Sequence, residues 1–472
     1  MSSTHVTPEI LELLKGIAGS EFVAVDSEVI AAHASDETED LHFPPEVVVR
    51  PGTAAEISAI LRLATARSIP VTPRGGGTGL SGGALPVHGG ICLSLDRLNR
   101  ILEIDRENLQ AVVEPGVITQ RLHEAVEALG LFYPPDPASR GSSHIGGNLA
   151  EGAGGPRAVK YGVTRDYVLG VEAVLPSGEV ITTGARVLKN STGYNLTHLL
   201  IGSEGTLAVI TRVFLRLIPL PKHRLVMLVA FATLEDAAKA VAAIFQAGLT
   251  PSALEFMERA AVQVAEERLG KSFPNNTAGA QLFVEVDGHH EDLVSRDLEA
   301  VAEVLQGFGP LDMVLADGRQ KVEDVWALRR GIGEAVKSIS PYKEEDTVVP
   351  RARLADLVSG VKEICGRHGV RSICYGHAGD GNVHVNLLRM DMTEEEWEKR
   401  SEAAIQEIFR LTVRLGGTIS GEHGIGYSQR EYLPIALSPA TIGIMKSIKR
   451  VFDPGGILNP DKIFPSDHQH RV

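Results

Sequence analysis

The chain has 472 residues, about three times the ~150 of an average domain, so its length predicts two or more domains and a large core. Its 46 basic and 60 acidic residues give a net charge of −14, which disfavours nucleic acids and anionic lipid as partners. No apolar run approaches the ~20 residues of a membrane span, and three cysteines are too few for an iron–sulfur cluster or a cysteine zinc site. The N-terminus lacks the basic and apolar segments of a secretory signal, so we expect a cytoplasmic protein.

The first half of the chain combines short strands, two helices and several glycine-rich segments. Hydrophobic periodicity predicts strands over 47–49, 70–72, 91–95, 101–104 and 111–113, and helices over 53–67 and 118–129. A further block, 168–218, is rich in strand-forming residues. The Leu-Pro-Lys segment at 220–222 is the predicted end of this first domain.

A glycine-rich loop follows the second predicted strand. Six glycines lie within residues 75–83, and residues 77–82 match the pattern G-x-G-x-x-G. A nicotinamide-binding Rossmann domain needs a helix that starts at this loop, whereas here the loop runs on into a strand. We therefore expect a nest, in which consecutive backbone N–H groups converge on a phosphate without help from a helix.

The second half of the chain alternates strands with helices. The predicted strands are 226–231, 282–286 and 313–315, and the predicted helices are 234–246, 292–305 and 322–337. This pattern is typical of a β-sheet covered by helices, so the predicted fold class is α+β. The predicted domains are 1–220 and 221–420, with a C-terminal segment, 421–472, that returns to the first domain.

A histidine-rich hairpin is predicted at residues 372–388. A strand that ends near His377 turns at 379–382 and returns through His384 and Asn386, which lie on one face because side chains alternate along a strand. Two imidazoles and a carboxylate form a common divalent-metal site, and Glu422, beside His423 in a glycine-flanked turn, offers the carboxylate. The chain has no H-E-x-x-H motif, and a hydrolase that used only the histidines would leave the glycine-rich segments unexplained.

Three more glycine-rich segments, at 145–148, 153–155 and 202–207, complete a set of motifs in a fixed order. Together the motifs resemble the vanillyl-alcohol-oxidase/p-cresol-methylhydroxylase superfamily, in its branch of D-lactate, glycolate and D-2-hydroxyglutarate dehydrogenases. The resemblance spans roughly 45–465. It implies an FAD-binding domain of this type, followed by a substrate-binding cap domain.

The resemblance also implies which residues bind FAD. The glycine loop holds the pyrophosphate, two central segments line the flavin, a later segment closes the nucleotide pocket, and the C-terminal return reaches the ring. These residues are Pro73, Arg74, Gly75, Gly76, Gly77, Thr78, Gly79, Ser81 and Gly82; Pro137, Ser139, Gly146, Gly147, Asn148, Ala153 and Gly154; Gly205, Thr206 and Val209; and Asn459.

The resemblance assigns a divalent metal to His377, His384 and Glu422, and the general base to His423. Zinc, manganese and ferrous iron all suit such a donor set. The arginine three residues after a tryptophan grips the substrate carboxylate, and this position is Arg329, with Arg330 as the competing choice. Asn386 and Lys343 complete the predicted catalytic set.

The implied function is the FAD-dependent oxidation of a small D-2-hydroxy acid to the 2-oxo acid, with hydride transfer to flavin N5. D-lactate and glycolate are favoured, because Gly333 stands where the hydroxyglutarate enzymes carry a threonine. The alternatives are a D-2-hydroxyglutarate dehydrogenase or a flavin-binding subunit of a larger glycolate-oxidising complex. Electrons would pass to an electron-transferring flavoprotein, an iron–sulfur subunit or a quinone, and a homodimer is compatible with the resemblance.

Overall fold

The chain folds into two compact units in the computed structural model, which describes residues 5–316 and 318–466. The first unit contains residues 5–153, 163–220 and 422–466, and the second contains 154–162 and the described part of 221–421. Residues 154–162 fall within the predicted first domain, 1–220. The segment belongs to the second unit, where Lys160 Nζ lies 2.5 Å and Tyr161 Oη 2.8 Å from the Asp287 carboxylate.

The described residues form eighteen strands. They are β1 (Val23–Ala24), β2 (Val47–Val49), β3 (Val71–Arg74), β4 (Ile91–Ser94), β5 (Ile101–Asp105), β6 (Gln110–Val113), β7 (Leu131–Phe132), β8 (Val168–Val174), β9 (Val180–Gly184), β10 (Val209–Arg216), β11 (Ile218–Pro219), β12 (His223–Phe231), β13 (Ala253–Glu258), β14 (Ala280–Gly288), β15 (Asp312–Ala316), β16 (Tyr342–Val348), β17 (Arg371–His377) and β18 (Asn382–Leu388).

The same residues form fifteen α-helices, none of which is long and apolar enough to cross a bilayer. They are α1 (Pro8–Ala18), α2 (Ser27–Ala32), α3 (Ala54–Arg67), α4 (Thr119–Glu127), α5 (Ile145–Glu151), α6 (Ala158–Tyr161), α7 (Leu196–Leu200), α8 (Leu234–Gln246), α9 (Arg259–Leu269), α10 (Glu291–Gln306), α11 (Arg319–Lys337), α12 (Leu354–His368), α13 (Glu394–Arg414), α14 (Leu433–Ala436) and α15 (Pro439–Phe452).

The first unit is built on a four-stranded and a five-stranded sheet. The order β1-β2-β4-β3 is parallel except for the β1–β2 pair, and the order β5-β6-β10-β8-β9 is antiparallel. Helix α3 is capped by Thr53, whose hydroxyl accepts the Glu56 N–H at 3.2 Å, and it buries Ile57 and Leu61 in the same core as β2 and β3. This i, i+4 spacing places one apolar stripe of the helix on the sheet.

The C-terminal segment of the first unit extends the four-stranded sheet. Leu458 forms a parallel bridge with Val71, and the Asn459 N–H donates to the Val71 carbonyl at 2.7 Å. Ile457 and Leu458 are buried in the core beneath this sheet. The last described stretch of the chain is therefore an integral part of the unit that carries the glycine loop.

The second unit contains a seven-stranded antiparallel sheet with the order β15-β12-β14-β13-β17-β18-β16. Helices α9 and α11 pack on one face, where Trp326 lies 4.4 Å from Phe283 between ring centroids. Sequence periodicity missed both β13 and α9. Every residue of β13 is buried, including two glutamates, and strand pairing on both sides overrides its weak strand propensity.

Candidate active site

The glycine loop after β3 lines an open crevice in the first unit. As predicted, no helix follows the loop before β4 within this described stretch. Most of the residues expected to hold FAD lie on the crevice wall. They are Pro73, Arg74, Gly75, Gly76, Gly77, Thr78, Gly79, Pro137, Ser139, Gly146, Gly147, Asn148, Ala153, Gly205 and Val209.

The glycines of the wall bring bare backbone to this space. A Cβ atom at Gly76 would lie 2.5 Å from the Ser142 carbonyl oxygen, so a side chain does not fit there. At Gly79 and Gly147 a Cβ would meet nothing within 4 Å, because both positions face open space. Glycine thus serves close packing at the first position and close approach of a flat ligand at the other two.

The same wall suits a negatively charged group. The Arg74 guanidinium donates from Nη2 to the Ser35 carbonyl at 2.8 Å, while its buried Nη1 has no hydrogen-bond partner among the described residues. The N–H groups of residues 76–79 donate to no backbone acceptor among the described residues. An unsatisfied guanidinium nitrogen beside consecutive amides is the chemistry that binds a pyrophosphate, so the crevice fits FAD.

Five predicted FAD ligands lie off the wall: Ser81, Gly82, Gly154, Thr206 and Asn459. Ser81 instead holds the C-terminal segment, since its carbonyl accepts the Tyr427 N–H at 2.8 Å and its hydroxyl donates to the His423 carbonyl at 3.0 Å. The Asn459 amide donates to the carbonyls of Gly83 and Glu204, at 2.9 and 2.7 Å. Ser81 and Asn459 therefore support the wall through hydrogen bonds and do not line the crevice themselves.

The Gly82 N–H donates to the Thr38 hydroxyl at 2.6 Å, and the Thr206 hydroxyl donates to the Ser203 carbonyl at 2.7 Å. Gly154 lies outside the first unit. The Gly82 N–H and the Thr206 hydroxyl are thus bonded to other protein atoms rather than left for a ligand in the crevice.

The crevice also holds two acidic residues that the sequence analysis missed, Glu151 and Glu204. Glu204 is buried and accepts the N–H groups of Ile425 and Gly426, at 2.9 and 2.6 Å; burial outweighs these bonds and raises its pKa to about 6. Burial, with the neighbouring Glu204 charge, raises the pKa of Glu151 well above its usual range. Glu422 and His423 line the same crevice.

The predicted histidine hairpin is present in the second unit. Strands β17 and β18 pair with Tyr375 opposite His384, and a single 3-10 turn, Ala378–Asp380, joins them. His377 and His384 are both buried, with ring centroids 5.3 Å apart and planes nearly perpendicular. Asn386 lies on the same face, fully buried, and neither atom of its amide makes a hydrogen bond of normal geometry among the described residues.

A buried glutamate on the neighbouring strand β13 joins this cluster. Both carboxylate oxygens of Glu255 lie 2.8 Å from His377 Nδ1, and Oε2 also lies 2.6 Å from Arg329 Nη2. Burial acts to raise the pKa of Glu255, but the adjacent His377 and Arg329 outweigh it and lower that pKa below its usual value. Nothing in the sequence marked this residue, because its strand was missed.

The structure distinguishes the two candidate arginines. Arg329 is buried, with its guanidinium carbon 5.3 Å from the centre of the Tyr375 ring, in the same cluster as His377. The Arg330 guanidinium instead lies over the Trp326 ring, 4.6 Å from its centre. Successive helical residues point about 100° apart, so only Arg329 of α11 faces the histidines.

Lys343 is not brought to this cluster. Lys343 lies on β16 three residues before Asp346, and side chains alternate between the two faces of a strand, so Lys343 and Asp346 point to opposite faces. Its ammonium pairs with Glu398 at 2.8 Å on the face covered by α13. Asp346 lies on the histidine face, where it accepts the Asn382 amide at 2.7 Å and the Gly421 N–H at 2.8 Å.

The class of protein follows from comparison with known families. Residues 45–184 match the FAD binding domain, and residues 220–463 match the C-terminal domain of FAD linked oxidases. The chain belongs to the family of FAD-linked oxidases. It is therefore an FAD-linked oxidoreductase, and the glycine loop at 75–83 lies within the part of the chain that matches the FAD binding domain.

Two curated relatives align over nearly the whole chain. The glycolate oxidase subunit GlcD of Bacillus subtilis is 39% identical and covers 99% of both chains. The D-lactate dehydrogenase of Anaerostipes hadrus is 40% identical over 97% of this chain and 98% of its own length. In fold, the chain is similar to p-cresol methylhydroxylase, with a TM-score of 0.83 at 17% identity and 98% coverage of both chains. The predicted α+β fold of this type is confirmed.

Proposed function

We propose that this enzyme oxidises a small D-2-hydroxy acid, D-lactate or glycolate, to the corresponding 2-oxo acid. One observation carries the proposal: a buried pair of imidazoles, His377 and His384, lies in the same cluster as the buried Arg329. Imidazole pairs bind divalent metals, and a guanidinium binds a carboxylate bidentately. The names of the two curated relatives, one a glycolate oxidase subunit and one a D-lactate dehydrogenase, support the same substrate class.

Each residue has a specific role in this proposal. Arg329 orients the substrate by its carboxylate, His377 and His384 supply two metal ligands, and the family resemblance assigns the third ligand to Glu422 and the base to His423. Zinc is the favoured metal, with manganese and ferrous iron as alternatives. A divalent metal bound there would lower the pKa of the substrate hydroxyl, and bound FAD would supply the hydride acceptor. His423 is the residue that would accept the hydroxyl proton.

The residue at position 333 bears on which hydroxy acid is used. By the family resemblance, the hydroxyglutarate enzymes carry a substrate-binding threonine where this chain has Gly333, and a Cβ atom at this position would lie 3.3 Å from the Tyr375 hydroxyl. The Tyr375 ring also contacts the His384 ring at a tilt of 44°, with ring centroids 5.4 Å apart. We therefore rank D-2-hydroxyglutarate below D-lactate and glycolate as the substrate.

The electrons must leave the flavin for a separate acceptor. Cys92, Cys365 and Cys374 are all buried and free, and three cysteines do not hold a cluster that requires four. An electron-transferring flavoprotein, an iron–sulfur subunit or a quinone can take this role. The alternative that the chain is a non-catalytic flavin-binding subunit leaves the cluster of His377, His384 and Arg329 without a purpose.

Anaerobic flavin reduction tests the proposal. The purified holoenzyme is mixed with glycolate and with the D and L forms of lactate and 2-hydroxyglutarate. The absorbance of the oxidised flavin at about 450 nm is followed in each mixture. We expect D-lactate or glycolate to bleach the flavin fastest. The His423→Ala variant should keep FAD but resist bleaching, whereas the His88→Ala variant, altered at a histidine outside the crevice, should behave as wild type. Equal bleaching of His423→Ala and wild type would contradict the assignment of the base.

A further inference from the structure

Glu255 makes contacts that reach both parts of the proposed substrate site in the second unit. It is 1% exposed, and its carboxylate bonds His377 on one side and Arg329 on the other. We propose that Glu255 is a positioning residue that fixes His377 as a metal ligand and Arg329 as a carboxylate clamp. This inference rests on the proposed function, because it gives both partners of Glu255 the roles assigned there.

The hydrogen bond to His377 determines which ring nitrogen is left for a metal. A carboxylate oxygen only accepts hydrogen bonds, so the nitrogen that faces Glu255 at 2.8 Å, Nδ1, carries a hydrogen. The lone pair that a metal needs is then on Nε2. Metal-binding histidines generally depend on a partner of this kind, which sets the tautomer and the ring orientation.

The second contact extends this control to the substrate arginine. Arg329 Nη2 lies 2.6 Å from Glu255 Oε2, while Arg329 Nε is buried without a hydrogen-bond partner among the described residues. One edge of the guanidinium is therefore held, and its remaining donors are available to a carboxylate. Because one side chain holds both groups, a change at Glu255 disturbs metal binding and substrate binding together.

Two substitutions separate this role from simple packing. Glutamine keeps the size of Glu255 but offers one acceptor oxygen and one donor nitrogen, so one of the two partners faces an N–H group. Aspartate keeps both acceptor oxygens on a shorter arm. We expect Glu255→Gln to lose more function than Glu255→Asp, although the size of glutamine is the closer match.

Glu285 provides a matched control. It lies on the next strand, β14, is also 1% exposed, and accepts bonds from Trp326 Nε1 at 2.8 Å and Ser252 Oγ at 3.2 Å. In Glu285→Gln both bonds survive, because the amide oxygen can accept from the indole and the serine hydroxyl can accept from the amide nitrogen. This variant changes a buried charge on the same sheet without touching His377 or Arg329.

The experiment measures zinc affinity of the metal-free, FAD-loaded protein by competition with a chromophoric chelator, and KM and kcat with D-lactate or glycolate. We expect Glu255→Gln to weaken zinc binding about 10- to 100-fold and to raise KM, with partial recovery in Glu255→Asp. FAD content and melting temperature, measured on each variant, identify a folding defect. Glu285→Gln should match wild type in zinc affinity and KM.

A His377→Ala variant tells the two possible failures apart. If His377→Ala loses zinc while Glu255→Gln keeps wild-type zinc affinity and KM, the positioning role is overturned and the proposed metal site stands. If His377→Ala binds zinc as wild type does, the metal proposal itself fails, and the role of Glu255 fails with it.

Discussion

Lys462 is a buried cation in the first unit. It is 2% exposed, and its ammonium donates to the Leu85 carbonyl at 2.7 Å. Burial lowers the pKa of Lys462 to about 7, although Asp36 and Glu204 act to raise it. The folded protein therefore releases this proton at a lower pH than the unfolded chain does.

This shift predicts how stability depends on pH. Between about pH 7 and 10.5 the unfolded chain holds the Lys462 proton more tightly than the folded protein does. The free energy of unfolding therefore rises with pH in this range, by at most about 1.4 kcal/mol per pH unit. This gain in stability is lost again as the pH falls to about 7. Lys462→Met should flatten this rise. Melting temperatures of the holoenzyme from pH 6.5 to 9.5, compared with the surface variant Lys271→Met, check the prediction. Parallel curves for Lys462→Met and wild type would contradict it.

Gly147 tests the crevice at a single residue. A Cβ atom at this position would meet nothing within 4 Å, so we expect Gly147→Leu to leave the stability of the apoprotein nearly unchanged. The leucine would instead occupy space that we assign to FAD, and FAD affinity should fall about tenfold or more, which corresponds to about 1.4 kcal/mol. Fluorescence titration with FAD and melting of the apoprotein measure the two effects.

Gly16 of α1 serves as the control for this substitution, since its Cβ would also meet nothing within 4 Å and it lies outside the crevice. Gly16→Leu should bind FAD as wild type does. Equal FAD affinity in Gly147→Leu and wild type would remove Gly147 from the binding surface.

At the scale of elements, the C-terminal segment is held by an ion pair between the half-buried Lys449 and the buried Asp453. Asp453 accepts the N–H groups of Ile457 and Leu458, at 3.2 and 2.8 Å, and pairs with Lys449 at 2.5 Å. The same ammonium donates to the carbonyls of Thr206 and Leu458, both at 2.7 Å. One pair thus connects the end of α15, the bridge to β3 and the loop beside the crevice.

Breaking this pair should loosen the segment. Asp453→Asn leaves the half-buried Lys449 ammonium without its counter-charge, which should cost at most the about 3–5 kcal/mol of a fully buried pair, and we expect a lower melting temperature and weaker FAD binding. The double variant Lys449→Met/Asp453→Asn should recover part of the loss, because the two effects are coupled. A surface control, Glu12→Gln on α1, should change stability by less than about 1 kcal/mol. Purely additive losses would show that the pair has no joint role.

The elements that the sequence predicts well are those with a clear period or turn. The hairpin around His384 follows from alternation and turn residues, and α8 is predicted with its observed bounds, 234–246. Strand β13 was not predicted because it mixes apolar residues with Glu255 and Glu258. This composition is more typical of a helix than of a strand that is buried by its neighbours. Local sequence therefore placed the histidines but could not place the glutamate that holds one of them.

The crevice shows a similar limit. Glycine-rich segments indicate where backbone approaches a ligand, so most wall positions could be predicted from the motifs. The acidic Glu151 on the wall could not be predicted, and Asn459, which was predicted to reach the ring, lies off the wall. The environments of both arise from segments far apart in the chain: Glu151 from Glu204, and Asn459 from Gly83. Long-range packing, rather than any local signal, determines whether such residues face the ligand or hold the wall.

At the scale of the whole molecule, FAD and the proposed metal depend on different residues. The glycine loop that lines the FAD crevice lies in the first unit, whereas His377 and His384 lie in the second. Treatment with a strong chelator should therefore abolish turnover without releasing FAD, and zinc, manganese or ferrous iron should restore activity. Flavin retained after ultrafiltration, together with activity before and after metal addition, tests this separation. Full turnover after complete metal removal would contradict the metal-assisted mechanism.

The first unit is assembled from three separate stretches of the chain, and its last stretch begins only at residue 422. During synthesis, Leu458, the bridge partner of Val71, leaves the ribosome after the whole of the second unit. A nascent chain can thus complete its first unit only after the second unit has been made. Premature termination near residue 421 would yield a product without the Lys449–Asp453 anchor, and we expect such a product to bind FAD poorly.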